Sequence, residues 1–379
     1  MKIFLIAGEA SGDVLGARLM PALAGLGPVE FAGIGGPLMA AAGLNSLFPQ
    51  QELAVMGFLE VLPHLRRLAR RLDQTVAAVR DLRPDAVVTI DSPGFGFRVQ
   101  QRLAGLGIRR IHYVAPSVWA WRPGRARKVA GFLDRLLCLL PFEPAWFTPH
   151  GLAADFVGHP AVEAVPGDAA AFRRRHAIPG DRPLLAVLPG SRRGEVSRLL
   201  DIFLAAAREQ PGARLAVPVV EGVRDAVAAA LPGDGLMVGQ EEKADLFAAA
   251  DAALCASGTA SLELSLAGVP TVVAYRLNPL THALARRLVR LRHVSLTNIL
   301  LEQGVIPEFL QGAATAPALS AALRQLLDDA PARQRQREAG ERVRAMLTPA
   351  GGVPSLAAAL AIRDAVSRPP RAGPGGAGG

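Results

Sequence analysis

Short runs of aliphatic and β-branched residues alternate along this chain with longer stretches in which apolar residues recur at helical spacing. In the first half the runs cover residues 3–7, 86–90, 110–115 and 135–140. A second series covers residues 184–188, 214–220, 235–238, 252–256 and 270–275. Buried runs separated by amphipathic helices are typical of parallel sheets. The pattern therefore predicts an α/β protein of two doubly wound units in tandem.

Chain length supports the same division, because a single hydrophobic core stops growing near ~250 residues and this chain has 379. A Gly-, Pro- and acid-rich stretch over 158–168 is typical of a linker. We expect domains at 1–165 and 166–350. A helix over 353–366 is expected to rejoin the first domain, and the Pro/Gly-rich tail at 367–379 is expected to be disordered.

Composition indicates a globular protein, and its net charge would suit an anionic partner. Half of the residues are hydrophobic, and 42 Lys and Arg against 33 Asp and Glu leave a formal charge of +9. A nucleotide phosphate, an acidic lipid or a nucleic acid would each suit this charge. The excess of Arg over Lys can equally reflect genome composition. Charge alone therefore does not establish that the protein has an anionic partner.

Several classes of protein are disfavoured. Cys138 and Cys255 lie in apolar runs, which argues against disulfides and favours a reducing cytosol. The first strand follows Met1 too closely for an export signal, and every apolar run is shorter than the ~20 residues of a membrane span. The seven histidines lack metal-ligand spacing, so we expect no metal and no cofactor.

A small-residue loop follows the first strand and opens a helix. Its candidate binding residues are Gly8, Glu9, Ser11, Gly12 and Asp13. Backbone N–H groups in such a loop can approach a ligand at the positive end of the helix. The spacing is not G-x-G-x-x-G, which counts against a dinucleotide site. A plain tight turn is the alternative.

Two further segments of the first half follow predicted strands. Asp91 ends the run 86–90, where ligands gather in open parallel sheets, so its carboxylate is a candidate general base or, alternatively, a cap for the next turn. Ser117 and Trp119 follow the run 110–115 in an aromatic-rich segment. That segment is either a binding surface or the filling of a core gap.

The second half contains two Gly-Ser turns, each between a strand and a helix. The first holds Gly190, Ser191, Arg192 and Glu195, and the second holds Ser257, Gly258, Thr259 and Glu263. A helix start with a cation suits a diphosphate, and Arg192 can stabilise the charge on a departing nucleotide. Glu263 is placed to hold ribose hydroxyls. The alternatives are that Ser191 and Thr259 simply begin capped helices.

A combined apolar and basic segment is a candidate membrane patch. It comprises Met56, Phe58, Leu59, Leu62, Arg66, Arg67 and Arg70, with Arg71 alongside. Such a segment can rest on a bilayer surface. A buried amphipathic helix with a solvated Arg face explains the pattern as an alternative. Arg286, Arg287, Arg290 and Arg292 raise the same choice.

Taken together, these segments resemble the bacterial lipid-A-disaccharide synthases up to about residue 366. The resemblance is carried by residues 7–13, 52–57, 90–91, 112–122, 139–143, 188–192, 256–260 and 294–296. It implies a GT-B fold, in which two Rossmann-like domains face an interdomain cleft. It also implies that Asp91 is the base and that Arg192 and Asn298 serve the nucleotide and its phosphates.

The activity implied is that of an inverting hexosyltransferase of lipid A and lipopolysaccharide biosynthesis. Such an enzyme joins UDP-2,3-diacylglucosamine to 2,3-diacylglucosamine 1-phosphate, giving a β-1,6-linked disaccharide 1-phosphate and UDP. The expected location is the cytoplasmic face of the inner membrane, in contact with its surface lipids. A homodimer is a weaker implication, and no nucleic-acid partner is expected.

One departure and two rival functions bear on this hypothesis. Gly96 stands where the family commonly has Asn, so a polar contact near the acceptor is expected to be missing. A UDP-sugar epimerase on the same fold would share the nucleotide half, and a basic nucleic-acid-binding protein would share the charge. Neither rival accounts for all of the ordered motifs.

Overall fold

The computed structural model describes residues 1–53, 65–121, 123–278 and 292–368. The chain divides into two compact units. The first contains Met1–Pro160 together with the segment that begins at Leu347, and the second is Ala161–Met346. Some predicted features lie outside the described residues, namely Met56, Phe58, Leu59, Leu62, Arg286, Arg287, Arg290 and most of the tail.

In the described part of the first unit, six parallel strands form one sheet in the order β2-β1-β3-β4-β5-β6. The strands are β1 (Lys2–Ala7), β2 (Glu30–Ile34), β3 (Ala86–Ile90), β4 (Arg109–Tyr113), β5 (Arg135–Cys138) and β6 (Ala153–Phe156). The helices of this unit are α1 (Ala10–Ala24), α2 (Pro37–Ala41), α3 (Leu65–Leu82), α4 (Pro93–Arg102), α5 (Val118–Trp121), α6 (Arg125–Ala130) and α7 (Pro144–Phe147).

The described second unit repeats this plan, with a parallel sheet in the order β12-β11-β10-β7-β8-β9. Its strands are β7 (Leu184–Leu188), β8 (Arg214–Pro218), β9 (Leu236–Val238), β10 (Ala252–Ala256), β11 (Thr271–Tyr275) and β12 (Glu308–Leu310). Its helices are α8 (Ala169–Arg175), α9 (Arg193–Arg208), α10 (Arg224–Ala230), α11 (Lys243–Ala249), α12 (Thr259–Leu266), α13 (Leu296–Leu301), α14 (Ala316–Asp328) and α15 (Ala330–Leu347).

The prediction of two doubly wound units is confirmed, and the predicted strands are found with small shifts at their ends. Sequence reasoning missed β2, β6 and β12, which are edge strands. An edge strand has one unpaired side and often a polar, half-exposed face, so it lacks a continuous apolar run. The side chains of β6 are all only partly buried, which fits this explanation.

The last described helix, α16 (Pro354–Ser367), packs against α1 in the first unit. Its Ala358 and Ile362 are completely buried in that core. Arg135 of β5 donates hydrogen bonds to Asp155 at 2.5 Å and to Asp364 of α16 at 2.5 Å. These two carboxylates raise the pKa of Arg135, so the ion pairs attach the end of the chain to the sheet.

Each sheet has one position at which the order of the strands reverses. In the first unit it lies between β1 and β3, and in the second it lies between β7 and β10. Loops leaving adjacent strands there run to opposite faces of the sheet, which opens a crevice at the carboxyl ends of the strands. The loops predicted to bind ligands follow these four strands. The topology therefore brings together the loops after β1 and β3 in the first unit and the loops after β7 and β10 in the second.

Candidate functional site

The small-residue loop of the first unit is tightly built. Gly8 is buried, and α1 begins two residues later. A Cβ atom on Gly12 would lie 3.1 Å from the carbonyl oxygen of Ile90, so a larger residue there would crowd the contact between α1 and the sheet. The Gln50 amide donates to the carbonyls of Ala7 at 2.8 Å and Glu9 at 2.9 Å. These contacts fix the backbone of the loop.

Asp91 lies beside this loop, at the carboxyl end of β3. The Ser11 hydroxyl donates to Oδ2 of Asp91 at 2.6 Å. Asp91 has φ of 52° and Ser92 has φ of 33°, in the left-handed region that non-glycine residues seldom adopt. Strained residues of this kind collect at functional sites. We refer to Ser11, Asp91 and Ser92 as the Asp91 cluster.

The alternative role for Asp91, as a helix cap, is not supported. The N-cap residue of α4 is Ser92, and its side chain makes no capping bond. The backbone N–H of Asp91 donates to the carbonyl of Tyr113 at 2.8 Å, which extends the pairing of β3 with β4. The backbone is therefore held by the sheet, while the carboxylate is half-buried and contacts the loop.

Asp13 has a different place from the one predicted for it. Its carboxylate is buried and accepts backbone N–H groups from Gly36, Leu38 and Met39, each at 2.9 Å. Negative charge at a helix N-terminus is stabilising, and these donors belong to the start of α2. Asp13 is thus a structural anchor, because its carboxylate is already occupied by the backbone at the start of α2.

The aromatic segment is fixed by a buried carboxylate that sequence reasoning did not assign. The Trp119 indole N–H donates to Glu143 at 3.2 Å, and its ring contacts Phe142 edge to face. Backbone N–H groups of Leu139 and Leu140 donate to the other Glu143 oxygen, each at 3.0 Å. Burial raises the pKa of Glu143 to about 7 despite these donors.

Core filling explains the beginning of the same segment. His112 is fully buried and shares a hydrogen bond of 2.7 Å with Thr89, and burial lowers its pKa to about 3. A Cβ atom on Gly96 would lie 3.0 Å from Cβ of Thr89. Gly96 therefore packs helix α4 against the sheet. Ser117, in contrast, is exposed beyond the end of β4.

The second unit contains a cavity of about 410 Å³ at the carboxyl ends of β7 and β10. We call it the Arg192 cavity. It brings together the residues of both predicted Gly-Ser turns with others from neighbouring elements. Its polar lining includes Gly190, Ser191, Arg192, Glu195, Gln240, Lys243, Ser257, Gly258, Thr259, Glu263 and Tyr275.

The first turn leaves its polar groups available to a ligand. Gly190 has φ of 114°, and a Cβ atom there would lie 2.5 Å from a Glu195 oxygen. Arg192, rather than Ser191, is the N-cap residue of α9, and it makes no side-chain capping bond. The Arg192 side chain is 65% exposed, with its guanidinium 3.8 Å from Glu195. A loosely paired cation therefore stands at a helix N-terminus.

The second turn has an equally open backbone. Gly258 is the N-cap residue of α12, with φ of 142°, and a Cβ atom there would have no neighbour within 4 Å. Ser257 donates its hydroxyl to the carbonyl of Val294 at 3.0 Å, which leaves the turn without a side-chain cap. Thr259 is the first helical residue, so the alternative of an ordinary capped helix start is not supported.

Three polar residues of the cavity were missed by sequence reasoning. Lys243 donates to Glu263 at 2.5 Å, and Gln240 donates to the carbonyl of Val219 at 3.0 Å. Burial raises the pKa of Tyr275, with a smaller contribution from nearby Glu195. Lys243 is one of three lysines and Tyr275 one of two tyrosines in the chain. The rarity of these two residue types was the sequence signal by which Lys243 and Tyr275 could have been found.

The side chain of Asn298 is held by protein groups on every side. It is completely buried, and its side-chain amide donates to the carbonyl of Ile306 and to Glu308, both at 2.9 Å. Its oxygen accepts the N–H groups of Val305 at 3.0 Å and Ile306 at 2.9 Å. Two donors and two acceptors exhaust what an amide can offer. Asn298 supports the chain before β12 in this structure, and the nucleotide role that the resemblance implies for it stays a prediction.

The basic helix α3 combines structural and exposed arginines. Arg71 makes a bidentate pair with Glu52, at 2.6 and 2.9 Å, and lies over the ring of Phe48. Leu68 packs on the core of the first unit. Arg66 and Arg70 are exposed, and Arg67 is half-buried. Among the described helices, none has the length and apolar character needed to cross a membrane.

A family model described as lipid-A-disaccharide synthetase matches residues 3–351 of this chain. The lipid-A-disaccharide synthase of Rhodospirillum centenum is 53% identical over 382 residues, covering 97% of this chain and 95% of that protein. The corresponding synthase of Gluconobacter oxydans is 45% identical, covering 97% of this chain and 91% of that protein. The similarity thus extends over both units.

Solved structures with much lower sequence identity share the fold. The calicheamicin glycosyltransferase CalG4 superposes with a TM-score of 0.58 at 17% identity, covering 97% of this chain and 98% of that chain. A putative UDP-N-acetylglucosamine 2-epimerase from Listeria monocytogenes superposes with a TM-score of 0.65 at 14% identity, covering 96% and 95%. These similarities identify the GT-B fold and, at such identities, nothing more.

Proposed function

The chain belongs to the lipid-A-disaccharide synthase family and is a glycosyltransferase, and from this premise we propose how its residues divide the reaction. The enzyme joins UDP-2,3-diacylglucosamine to 2,3-diacylglucosamine 1-phosphate and releases UDP. In the proposal, the Arg192 cavity binds the nucleotide of the donor. The Asp91 cluster activates the hydroxyl of the acceptor.

The Arg192 cavity suits a sugar nucleotide in size and polarity. Its volume of about 410 Å³ lies within the ~300–1,000 Å³ typical of small-molecule sites. The helices α9 and α12 both begin at its wall, and the N–H groups of their first turns attract negative charge. The diphosphate then lies at Gly190 to Arg192, and Glu263, oriented by Lys243, accepts bonds from the ribose hydroxyls.

Asp91 is the proposed general base. Ser11 occupies one of its oxygens, so the other can accept the proton of the acceptor's primary hydroxyl. As that proton moves to Asp91, the hydroxyl oxygen bonds to the anomeric carbon and the bond from this carbon to UDP breaks. Attack opposite the leaving group inverts the configuration. Arg192 and the helix N-termini stabilise the charge that grows on UDP.

The observation that carries this proposal is the exposed Arg192 at the cavity, because this cation supplies what Mg²⁺ supplies in other nucleotide-sugar enzymes. We therefore propose that turnover requires no metal and no cofactor. The described residues contain no group of three metal-ligating side chains. Arg192 leaves its weak contact with Glu195 easily, since exposed ion pairs contribute little to stability.

Purified protein incubated with both diacylated sugars is expected to form the disaccharide phosphate and one equivalent of UDP. The rate should be unchanged in excess EDTA, because the charges that stabilise UDP belong to the protein. Mass spectrometry of the lipid product and a coupled UDP assay measure both results. Loss of turnover in EDTA that Mg²⁺ restores would refute the metal-independent mechanism. Release of an epimerised sugar without acceptor would point to the epimerase.

We also propose that the enzyme works at the cytoplasmic face of the inner membrane. Both substrates carry acyl chains, and the exposed Arg66 and Arg70 can attract acidic headgroups at ~1 kcal/mol each. Arg71 is not part of this surface, because Glu52 holds it. The basic patch is therefore reduced to Arg66, Arg70 and the half-buried Arg67. A homodimer remains a prediction of the resemblance alone.

Replacing Arg66 and Arg70 together by Gln is expected to weaken binding to vesicles containing acidic lipid by ~10-fold or more at low salt. Flotation at low and high salt measures this change. Arg80→Gln with Arg83→Gln is the matched control, since it removes the same charge from exposed positions near the other end of α3. Equal vesicle binding by the two double variants would refute the basic-patch proposal.

A further inference from the structure

A second recess in the second unit lies beside the Arg192 cavity, and both of the charged residues that line it are arginines. Its volume is about 550 Å³, and it is lined by Ser197, Arg198, Arg276, Leu277, Gln311 and Gly312. Two of these side chains are guanidinium groups, and none is acidic. We call it the Arg198 pocket. Two arginines without a carboxylate favour an anionic ligand.

The two arginines are held in different ways. Arg276 donates to the carbonyls of Gln311 at 3.2 Å and Ala314 at 2.7 Å, so its guanidinium is part of the wall. Arg198 donates its Nε to the carbonyl of Arg276 at 3.1 Å. Within the described part of the chain, its terminal amino groups have no carboxylate partner. Arg198 is thus oriented by one hydrogen bond from Nε, and its two terminal amino groups can still bind a ligand.

The Arg198 pocket adjoins the site of the leaving group. Arg198 lies on α9 three residues, or about 4.5 Å along the axis, beyond Glu195, which lines the Arg192 cavity. Arg276 directly follows Tyr275, which lines the same cavity. Both Arg192 and Arg198 are close enough to Tyr275 to affect its ionisation. A ligand reaching from one cavity to the other needs to cross only a short distance.

We propose that the Arg198 pocket binds the anomeric phosphate of the acceptor sugar. This inference rests on the proposed function, in which the turn at Gly190 to Arg192 is already occupied by the diphosphate of the donor. The acceptor carries a second phosphate, one sugar ring away from the hydroxyl that attacks. A separate cationic recess next to the leaving group meets this requirement. Arg198 is then a residue that determines acceptor specificity.

The test compares two acceptors, 2,3-diacylglucosamine 1-phosphate and the same lipid without its phosphate, in detergent micelles. The wild-type enzyme is expected to prefer the phosphorylated acceptor. Arg198→Gln should lower kcat/KM for that acceptor by ~10- to 100-fold, which is the range for one charge-assisted hydrogen bond. It should leave kcat/KM for the unphosphorylated acceptor and KM for the donor almost unchanged.

Two further variants keep the result interpretable. Arg198→Lys keeps the charge but loses the bond from Nε to Arg276, so it should retain most of the preference if phosphate binding is the role. Arg208→Gln removes a charge about 15 Å further along α9 and should behave as wild type. Thermal melts of all variants check that each is folded.

Several outcomes would overturn the assignment of Arg198. An equal loss with both acceptors would indicate a structural role, and a raised KM for the donor would place the residue at the diphosphate. Loss of activity only on acidic vesicles, and not in micelles, would indicate a lipid headgroup instead. Failure of the proposed function looks different, because the wild-type enzyme would then release no UDP with either acceptor.

Discussion

Asp91→Asn is expected to lower kcat by ~10²- to 10⁴-fold, the range that general base catalysis contributes. Asparagine has nearly the same shape as aspartate, and its amide oxygen can still accept the bond from Ser11. It cannot take up the proton of the acceptor. The measurement is steady-state release of UDP. Calorimetric titration of UDP in parallel should give an unchanged Kd, because Asp91 lies in the other unit from the Arg192 cavity.

A matched control lies at the opposite end of the same strand. Asp85 is exposed just before β3, where its carboxylate accepts the backbone N–H of Lys2 at 2.7 Å. Asp85→Asn makes the same chemical change and should keep wild-type kcat. Near-normal turnover by Asp91→Asn would mean that another group is the base. The left-handed backbone at Asp91 would then have no catalytic explanation.

Arg192→Ala is expected to lower kcat by ~10²- to 10³-fold, as loss of one oxyanion-stabilising donor does in other enzymes. UDP affinity should fall as well, because the guanidinium contacts phosphate in the bound ground state. Arg192→Lys should recover only part of the loss, since lysine cannot bind phosphate with two parallel donors. Single-turnover rates with UDP titrations separate the effect on chemistry from the effect on binding.

Arg193→Ala is the control for this variant. It removes a neighbouring cation, but Arg193 donates to the carbonyl of Gly222 at 3.1 Å and does not line the cavity. Its kcat and UDP affinity should remain close to wild type. If Arg193→Ala and Arg192→Ala were equally impaired, general electrostatic attraction would explain the effect. Specific contact between Arg192 and the diphosphate would then be refuted.

Much of the architecture could be predicted from sequence because buried parallel strands are recognisable by themselves. The runs at β3, β7 and β10 are buried from end to end and almost wholly apolar, since both faces of each strand are covered by helices. Three of the edge strands, β2, β6 and β12, were missed because they are partly exposed and carry polar residues. Their existence depends on a neighbouring strand to pair with, which local composition does not reveal.

Site residues that act through their backbone conformation could be predicted from the sequence. Residues whose side chains are bound by other protein groups could not. Gly190 and Gly258 have positive φ in turns after strands, and this requirement is visible as glycine in the sequence. Asp13 and Asn298 stand in similar motifs, but their side chains point into the protein and bind backbone groups. Motif position cannot distinguish an inward from an outward side chain.

The sequence by itself determined the two parallel sheets and the loops at their carboxyl ends, because these depend on local patterns of burial and turn geometry. Its ordered motifs carried the resemblance to the family. The tertiary structure decided which polar groups remain available. It joined Lys243 to Glu263 and Arg71 to Glu52, and placed Arg198 beside Arg276 across 78 residues of chain. Such pairings arise only when the sheet brings distant segments together, since a side chain is neutralised or left free by neighbours remote in sequence.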